Sequence, residues 1–140
     1  FLSYYTEHNK ISHNFTSDEI ATFLINNNKQ QVEDDVHKLK ELGADYIICY
    51  IHWGKERVHT PTPYQKQVAK ELAVAGVDYI IGSHPHALQP YDEISVNNKI
   101  VPVIYSLGNF LSSSRLGQCT RDTIILQLQL SKRENGCYLT

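Results

Sequence analysis

The chain has 140 residues, enough for one ordinary domain with a core of its own. Lys and Arg number 13 against 15 Asp and Glu, for a net charge of −2 and a pI near 6.4. No basic stripe is present, so nucleic-acid binding has no electrostatic support. The hydrophobic fraction of 41% excludes a disordered chain. No run of roughly 18 apolar residues is present, which excludes a membrane-spanning helix within these residues.

Phe1 to Thr6 is aromatic and rich in β-formers, and it reads as a strand already under way. The sequence contains no Met and no signal peptide. A fragment or processed product is therefore expected, and any export signal or anchor would lie in a preceding segment. Three cysteines, Cys49, Cys119 and Cys137, are too scattered for a disulfide framework or a zinc knuckle. Cys49 is expected as a buried free thiol.

His8, Asn9, His13, Asn14, Thr16 and Ser17 give loop chemistry. Asp18 to Ile25 reads as a short helix capped by Ser17 or as a partly extended piece, and Asn26 to Asn28 breaks it. Lys29 to Leu42 is an amphipathic helix, with Val32, Val36 and Leu39 on one stripe, acids toward its start and lysines toward its end. Gly43 stops it. Tyr46 to Ile51 follows as an apolar run without alternation, as expected of a strand buried on both faces.

Lys55 to Pro61 is a loop. Thr62 caps a second helix with Pro63 at its first position, running to Ala75 with Tyr64, Val68, Leu72 and Ala75 on its stripe. Gly76 stops it, and Val77 to Ile81 is the next buried strand. The two units repeat around a Gly-x-Asp-Tyr-Ile-Ile core, at Gly43 to Ile48 and Gly76 to Ile81. Repeated helix–strand units imply a parallel α/β sheet with right-handed crossovers. Ligands bind such sheets outside the carboxyl ends of the strands. Tyr91 to Val96 and Ile100 to Tyr105 form a hairpin around Asn97-Asn98. Ser106 to Phe110 and Ser112 to Thr120 are loops, and Asp122 to Leu130 alternates as a further, half-exposed strand.

The chemistry concentrates at the strand ends. His84 and His86 flank Pro85 after the second buried strand, and His52 follows the first. Three imidazoles at one sheet edge suit a borderline divalent metal such as Zn, Mn or Fe. Glu56, four residues past His52, reads either as a general acid/base or partner to an imidazole, or as a solvated loop carboxylate. Gln65 and Gln89 can bond a substrate or a metal ligand, or be ordinary helix-surface and turn residues. Asn109 can reach the same edge, or serve only an Asx turn. Arg115 and Arg121 are candidate anion binders or plain surface cations. His8, His13, His37 and His59 read as ordinary histidines. No Gly-x-Ser-x-Gly elbow supports a serine hydrolase.

His52-Trp53-Gly54-Lys55-Glu56 is followed by Pro61-x-x-x-Gln65 or Pro63-x-x-x-Gln67 and then by Ala75-Gly76-Val77-Asp78. Gly82-Ser83-His84-Pro85-His86-Ala87-Leu88-Gln89 and Tyr105-Ser106-Leu107-Gly108-Asn109-Phe110 complete the series. In this order they resemble the CapA family of bacterial capsule and poly-γ-glutamate synthesis proteins, as does the opening Phe1 to Asn9. The resemblance implies a calcineurin-like metallophosphoesterase fold, an α-β-β-α sandwich of which residues 1–140 are the C-terminal part. It implies two divalent metals in the intact parent, with His52, His84 and His86 among the ligands and the other ligands upstream. By the same resemblance the parent is a metal-dependent hydrolase of phosphoesterase type in capsule or poly-γ-glutamate synthesis. Its substrate would be an anionic polymer or a phosphoester, its partners synthase subunits, and its location extracytoplasmic through an upstream anchor. A non-catalytic accessory subunit and a generic phosphodiester hydrolase are the alternatives.

Overall fold

The computed structural model describes residues 1–5, 29–112, 117, 120–134 and 136–140. The expected loop and helix between His8 and Asn28 lie outside these residues, as do His8, His13, Arg115 and Cys119. Strand β1 is Leu2–Tyr5, helix α1 Lys29–Glu41, β2 Ile48–His52, α2 Pro63–Ala75 and β3 Tyr79–Ser83. Strands β4, Leu88–Val96, and β5, Lys99–Leu107, form the hairpin, and β6, Leu130–Arg133, pairs with β7, Gly136–Leu139. Five strands make one sheet in the order β1-β2-β3-β5-β4. Its neighbours are parallel except for β4, which lies antiparallel at the edge. The α/β class and the parallel helix–strand units are as the sequence implies. No helix among the described residues is long and apolar enough to cross a membrane.

Each helix ends for the same reason. In α1, Gly43 donates to Lys40 and Ala44 to Leu39; in α2, Gly76 donates to Ala73 and Val77 to Leu72. This paired closure needs a left-handed residue after the helix, and the two glycines sit at φ +87 and +108. The acids of α1 begin only at Glu33, beyond the first turn, so only the terminal Lys38 and Lys40 meet the helix dipole as expected. Helix α2 opens with a capping box between Thr62 and Gln65, and Pro63 stands in the first turn.

The helices bury Val32, Val36, Val68, Ala69, Leu72 and Ala73 in one cluster with Cys49, Ile51 and Ile80 of the sheet. Burial pushes the Cys49 thiol up to about 12, so it stays protonated and inert. The stripe of α2 differs from expectation: Tyr64 is 42% exposed, and Gln65 is fully buried in its place. Strand β2 differs too. Cys49 and Ile51 are wholly buried, yet Tyr50 between them is 37% exposed. Its second face is open among the described residues.

The two repeats do not pair in sequence register. Ile48 lies opposite Tyr79, whereas the repeat equates Tyr46 with Tyr79. The offset of two residues preserves the facing of every side chain. It sets His52 level with Ser83, one residue short of His84. Asp78 fastens the start of β3, where its carboxylate accepts from the Ile47 amide at 2.6 Å and pairs with Lys99.

The hairpin runs further than Tyr91 to Tyr105, because Leu88, Gln89 and Pro90 belong to β4. A proline removes a ladder donor, which an edge strand tolerates. Asn97 and Asn98 both have positive φ, as the tight turn requires. The further strand is a correction. Asp122 to Gln129 contributes one bridge, Thr123 to Gly108, and the regular strand starts only at Leu130 and folds back on β7. Alternation is necessary for a half-exposed strand, but a strand also needs a free edge to pair with. Among the described residues the bridge on this stretch is to the loop after β5.

Gly82 holds a closely packed crossing in the sheet. The Trp53 indole Nε1 donates to the Tyr105 carbonyl at 2.9 Å, from the end of β2 across β3 to β5. A Cβ on Gly82 would stand 2.0 Å from that carbonyl oxygen and 2.4 Å from the indole nitrogen. Backbone cannot yield at such distances. Gly82→Ala is expected to lower stability by about 3 kcal/mol, through overpacking and the broken buried hydrogen bond. Gly43→Ala should cost about 1–2 kcal/mol, from its left-handed backbone alone, since nothing lies within 4 Å of an added Cβ there. Urea midpoints of the two variants test that ranking, and equal losses would refute the packing argument.

Candidate functional site

The carboxyl ends of β2 and β3 carry His52 and the turn Ser83-His84-Pro85-His86. The rings of His52 and His84 lie 4.4 Å apart, and those of His84 and His86 lie 6.2 Å apart. The three imidazoles therefore gather at one rim of the sheet, as the repeat implied. His84 is 8% exposed, and its Nδ1 is buried with no hydrogen-bond partner among the described residues. His52 is half-buried, and His86 faces solvent. Burial, then the neighbouring His84 and His86, lower the His52 pKa and keep that ring neutral.

The turn stores strain. His84 has φ +95 and His86 φ +54, on either side of Pro85. Left-handed backbone at a non-glycine residue costs of order 1–3 kcal/mol and persists only where the surroundings impose it. The surroundings here are hydrogen bonds from the loop after β2. The Arg57 amide donates to the Pro85 carbonyl at 2.6 Å, and Trp53 N to the Ser83 carbonyl at 3.1 Å. His59 Nδ1 lies 2.9 Å from the Leu88 carbonyl, so His59 ties this loop to the start of β4. His37, beside Glu41 on the exposed face of α1, matches the ordinary reading.

Gln65 and Gln89 belong to the same support. The Gln65 amide donates to Gln89 Oε1 at 2.7 Å, and Gln89 Nε2 donates to the Val58 carbonyl at 2.9 Å. Gln65 Oε1 accepts from Thr62 N at 2.9 Å. The Gln65 amide lies flat against Gly54, where a Cβ would come within 2.5 Å of it. Neither glutamine lines the cleft beside the histidines. Glu56 also stands outside that lining, half-exposed and 3.7 Å from Arg57. Arg121 is exposed and likewise outside it.

Asn109 reaches the cluster. Its Oδ1 lies 2.7 Å from His86 Nδ1, and its Nδ2 donates to the Thr120 carbonyl at 3.1 Å. The cleft itself is open and continues past the histidines over Tyr50, Ser83 and Leu107, then along Phe110, Leu111 and residues 123–126. Sequence reasoning missed this wall. Tyr50 was findable, since it stands two residues before His52 and so shares its face. Residues 123–126 had no local signal, because the bridge between Gly108 and Thr123 brings them there.

Among the described residues, no three His, Cys, Asp or Glu side chains converge as a metal site in their present positions. The donor chemistry nonetheless fits a divalent cation in kind. Three packed imidazoles, one held neutral by its surroundings and one with an unpaired buried nitrogen, are donors of the kind such a cation takes. Among the described residues the cleft beside them is lined by no carboxylate.

A lowered His52 pKa has a consequence for stability. The unfolded chain binds the His52 proton more readily than the folded one, so acid favours unfolding. The penalty is absent above about pH 6.5, the unperturbed value, and grows as pH falls below it. In chelator-treated protein the urea midpoint is expected to fall on acidification through that range, and His52→Gln should flatten the decline. A midpoint equally pH-dependent in both proteins would remove His52 from the account.

Residues 2–114 match the family model described as bacterial capsule synthesis protein PGA_cap. The chain is 40% identical over 93 residues to the PGA biosynthesis protein CapA of Bacillus subtilis (strain 168). It is 38% identical over 97 residues to the capsule biosynthesis protein CapA of Bacillus anthracis. These alignments take in 66% and 69% of this chain but only 23% and 22% of the two relatives, so it spans about a quarter of their length. The matched residues include the helix–strand repeat, the three clustered histidines and Asn109. The chain belongs to the bacterial capsule synthesis protein family PGA_cap.

Proposed function

We propose that this chain carries part of a divalent-metal site in a protein of capsule or poly-γ-glutamate biosynthesis, and that the intact site performs phosphoesterase-type hydrolysis. The observation that carries this reading is the gathering of His52, His84 and His86 on a strained turn, with the His84 Nδ1 buried and unpaired. Membership of the family and the names of the two Bacillus relatives support the biosynthetic context. In this reading His52, His84 and His86 hold the metal. A bound divalent cation supplies Lewis acidity toward a phosphoryl oxygen. The chain's own part is to hold these imidazoles close and rigid, with His52 kept neutral, and to offer an open cleft for an anionic polymer or a phosphoester. Mn, Zn and Fe all suit imidazole donors, and two ions with upstream carboxylate ligands complete the site in this proposal. Synthase subunits as partners and an extracytoplasmic, anchored location belong to the same proposal.

A second reading keeps the family context without the chemistry. In it the protein is an accessory subunit that retains the site's architecture for binding, the clustered imidazoles included. The two separate in one experiment on the intact protein. His84→Ala and His86→Ala are each checked for folding by thermal melt, then assayed for bound metal, phosphodiester hydrolysis and polymer output. The hydrolase reading expects metal content and both activities to fall by at least tenfold. Unchanged polymer output from a folded, metal-depleted variant would establish the accessory reading instead. The 140 residues alone are expected to bind Mn or Zn weakly and to hydrolyse nothing. Tight uptake of two ions per chain in a calorimetric titration would overturn the incomplete ligand set.

A further inference from the structure

We propose that Asn109 is a positioning residue that locks His86 in its Nδ1–H tautomer, leaving Nε2 as the ring's electron-pair donor. The argument starts at the far end of the amide. Asn109 Nδ2 lies 3.1 Å from the Thr120 carbonyl and 3.5 Å from the His86 carbonyl. Main-chain carbonyls only accept, so the end of the amide that faces both must be its NH₂. That fixes Oδ1 toward His86 Nδ1, at 2.7 Å. Oδ1 also only accepts, and a contact this short requires a proton between the two atoms. The ring nitrogen alone can provide it. In a neutral imidazole one nitrogen donates and the other accepts, so a protonated Nδ1 leaves the lone pair on Nε2.

The selecting group is itself fixed in place. Thr120 is buried, and its hydroxyl donates to the Gly117 carbonyl at 3.0 Å. Gly108, just before Asn109, has φ +75, and an added Cβ there would come within 2.4 Å of the Asp122 carbonyl. Thr123 Oγ1 donates to the Leu107 carbonyl at 2.9 Å, and Ile124 N donates to the same carbonyl at 3.2 Å. The loop after β5 and residues 120–124 are thus stitched on both sides of Asn109. His86 sits on strained backbone of its own, so both partners of the tautomer-setting bond are held. The importance of the lone pair for metal binding rests on the metal reading above, whereas the tautomer does not.

The test uses the intact protein with nitrogen-15 in its histidines, free of metal and at a pH well above the imidazole range. Long-range proton–nitrogen correlation reports which ring nitrogen carries hydrogen, and His86→Phe identifies the resonances. His86 is expected to show a protonated Nδ1 and a bare Nε2. Asn109→Leu should shift the ring toward the Nε2–H form that free imidazole side chains prefer, while Asn109→Asp, which keeps an acceptor, should hold Nδ1–H. A wild-type His86 protonated at Nε2, or an Asn109→Leu spectrum with unchanged nitrogen shifts, overturns the proposal. The wild-type spectrum decides even if Asn109→Leu does not fold. In a parallel Mn or Zn titration, Asn109→Leu should weaken binding about 10–100-fold, the range for groups that orient metal-bound imidazoles. If the wild type takes up no metal, the metal reading fails, and the spectrum still decides the tautomer.

Discussion

The Trp53 indole reaches over a bare glycine to the Tyr105 carbonyl, and the site depends on that crossing. Trp53 follows His52 directly, and Gly82 stands two residues before His84. The hydrogen bond therefore clamps the two histidine-bearing strand ends to each other and to β5, whose end leads to Asn109. The indole also stacks on the Tyr105 ring at 5.6 Å and is wholly buried. Buried in this way, its N–H must be satisfied, and Gly82 leaves the space through which it is. One contact thus couples three strands at the level where ligands gather in parallel sheets.

Around this clamp the motif residues divide into two groups. Gln65, packed against Gly54, and Gln89 form an amide chain that binds the loop after β2 to the start of α2 and to β4. Both glutamines are shut away from the cleft, and their polar ends are used up on each other and on backbone. His52, His84, His86 and Asn109 face the opening instead. The first group explains how the second can exist. Two left-handed histidines around a proline are unfavourable in isolation, and the bonds from Arg57 and Trp53 to this turn hold it. Strain at the histidines is sustained by satisfied hydrogen bonds in the loops beside them.

The same arrangement gives the cleft its electrostatic character. Burial, together with the neighbouring His84 and His86, disfavours protonation of His52. Neutral imidazole is the form that donates an electron pair. The further wall of the cleft is apolar, with Phe110, Leu111 and Ile125 exposed. These residues arrive on the loop after β5 and on the irregular stretch that bridges to it.

Much of this was legible in the sequence. The helices were marked by their 3.6-residue stripes, by Thr62-Pro63 at one start and by glycine at both ends. The Gly-x-Asp-Tyr-Ile-Ile repeat marked two parallel units and so put three histidines on one edge. These are local signals, because caps, turns and periodicity depend on neighbours a few residues apart. The burial of Gln65, the exposure of Tyr50, the loss of the strand over Asp122 to Gln129 and the hairpin at β6 and β7 were not legible. The first three depend on what packs, or does not pack, against the residue from a distant segment: Gln89 and Gly54 on Gln65, a sheet face left open among the described residues at Tyr50, the Gly108 bridge at Thr123. The sequence by itself determined the α/β architecture and which imidazoles share an edge. Only the tertiary structure decided which amides support the turn and which one touches a histidine, because a hydrogen bond between residues 23 positions apart, such as Asn109 to His86, leaves no trace in local pattern.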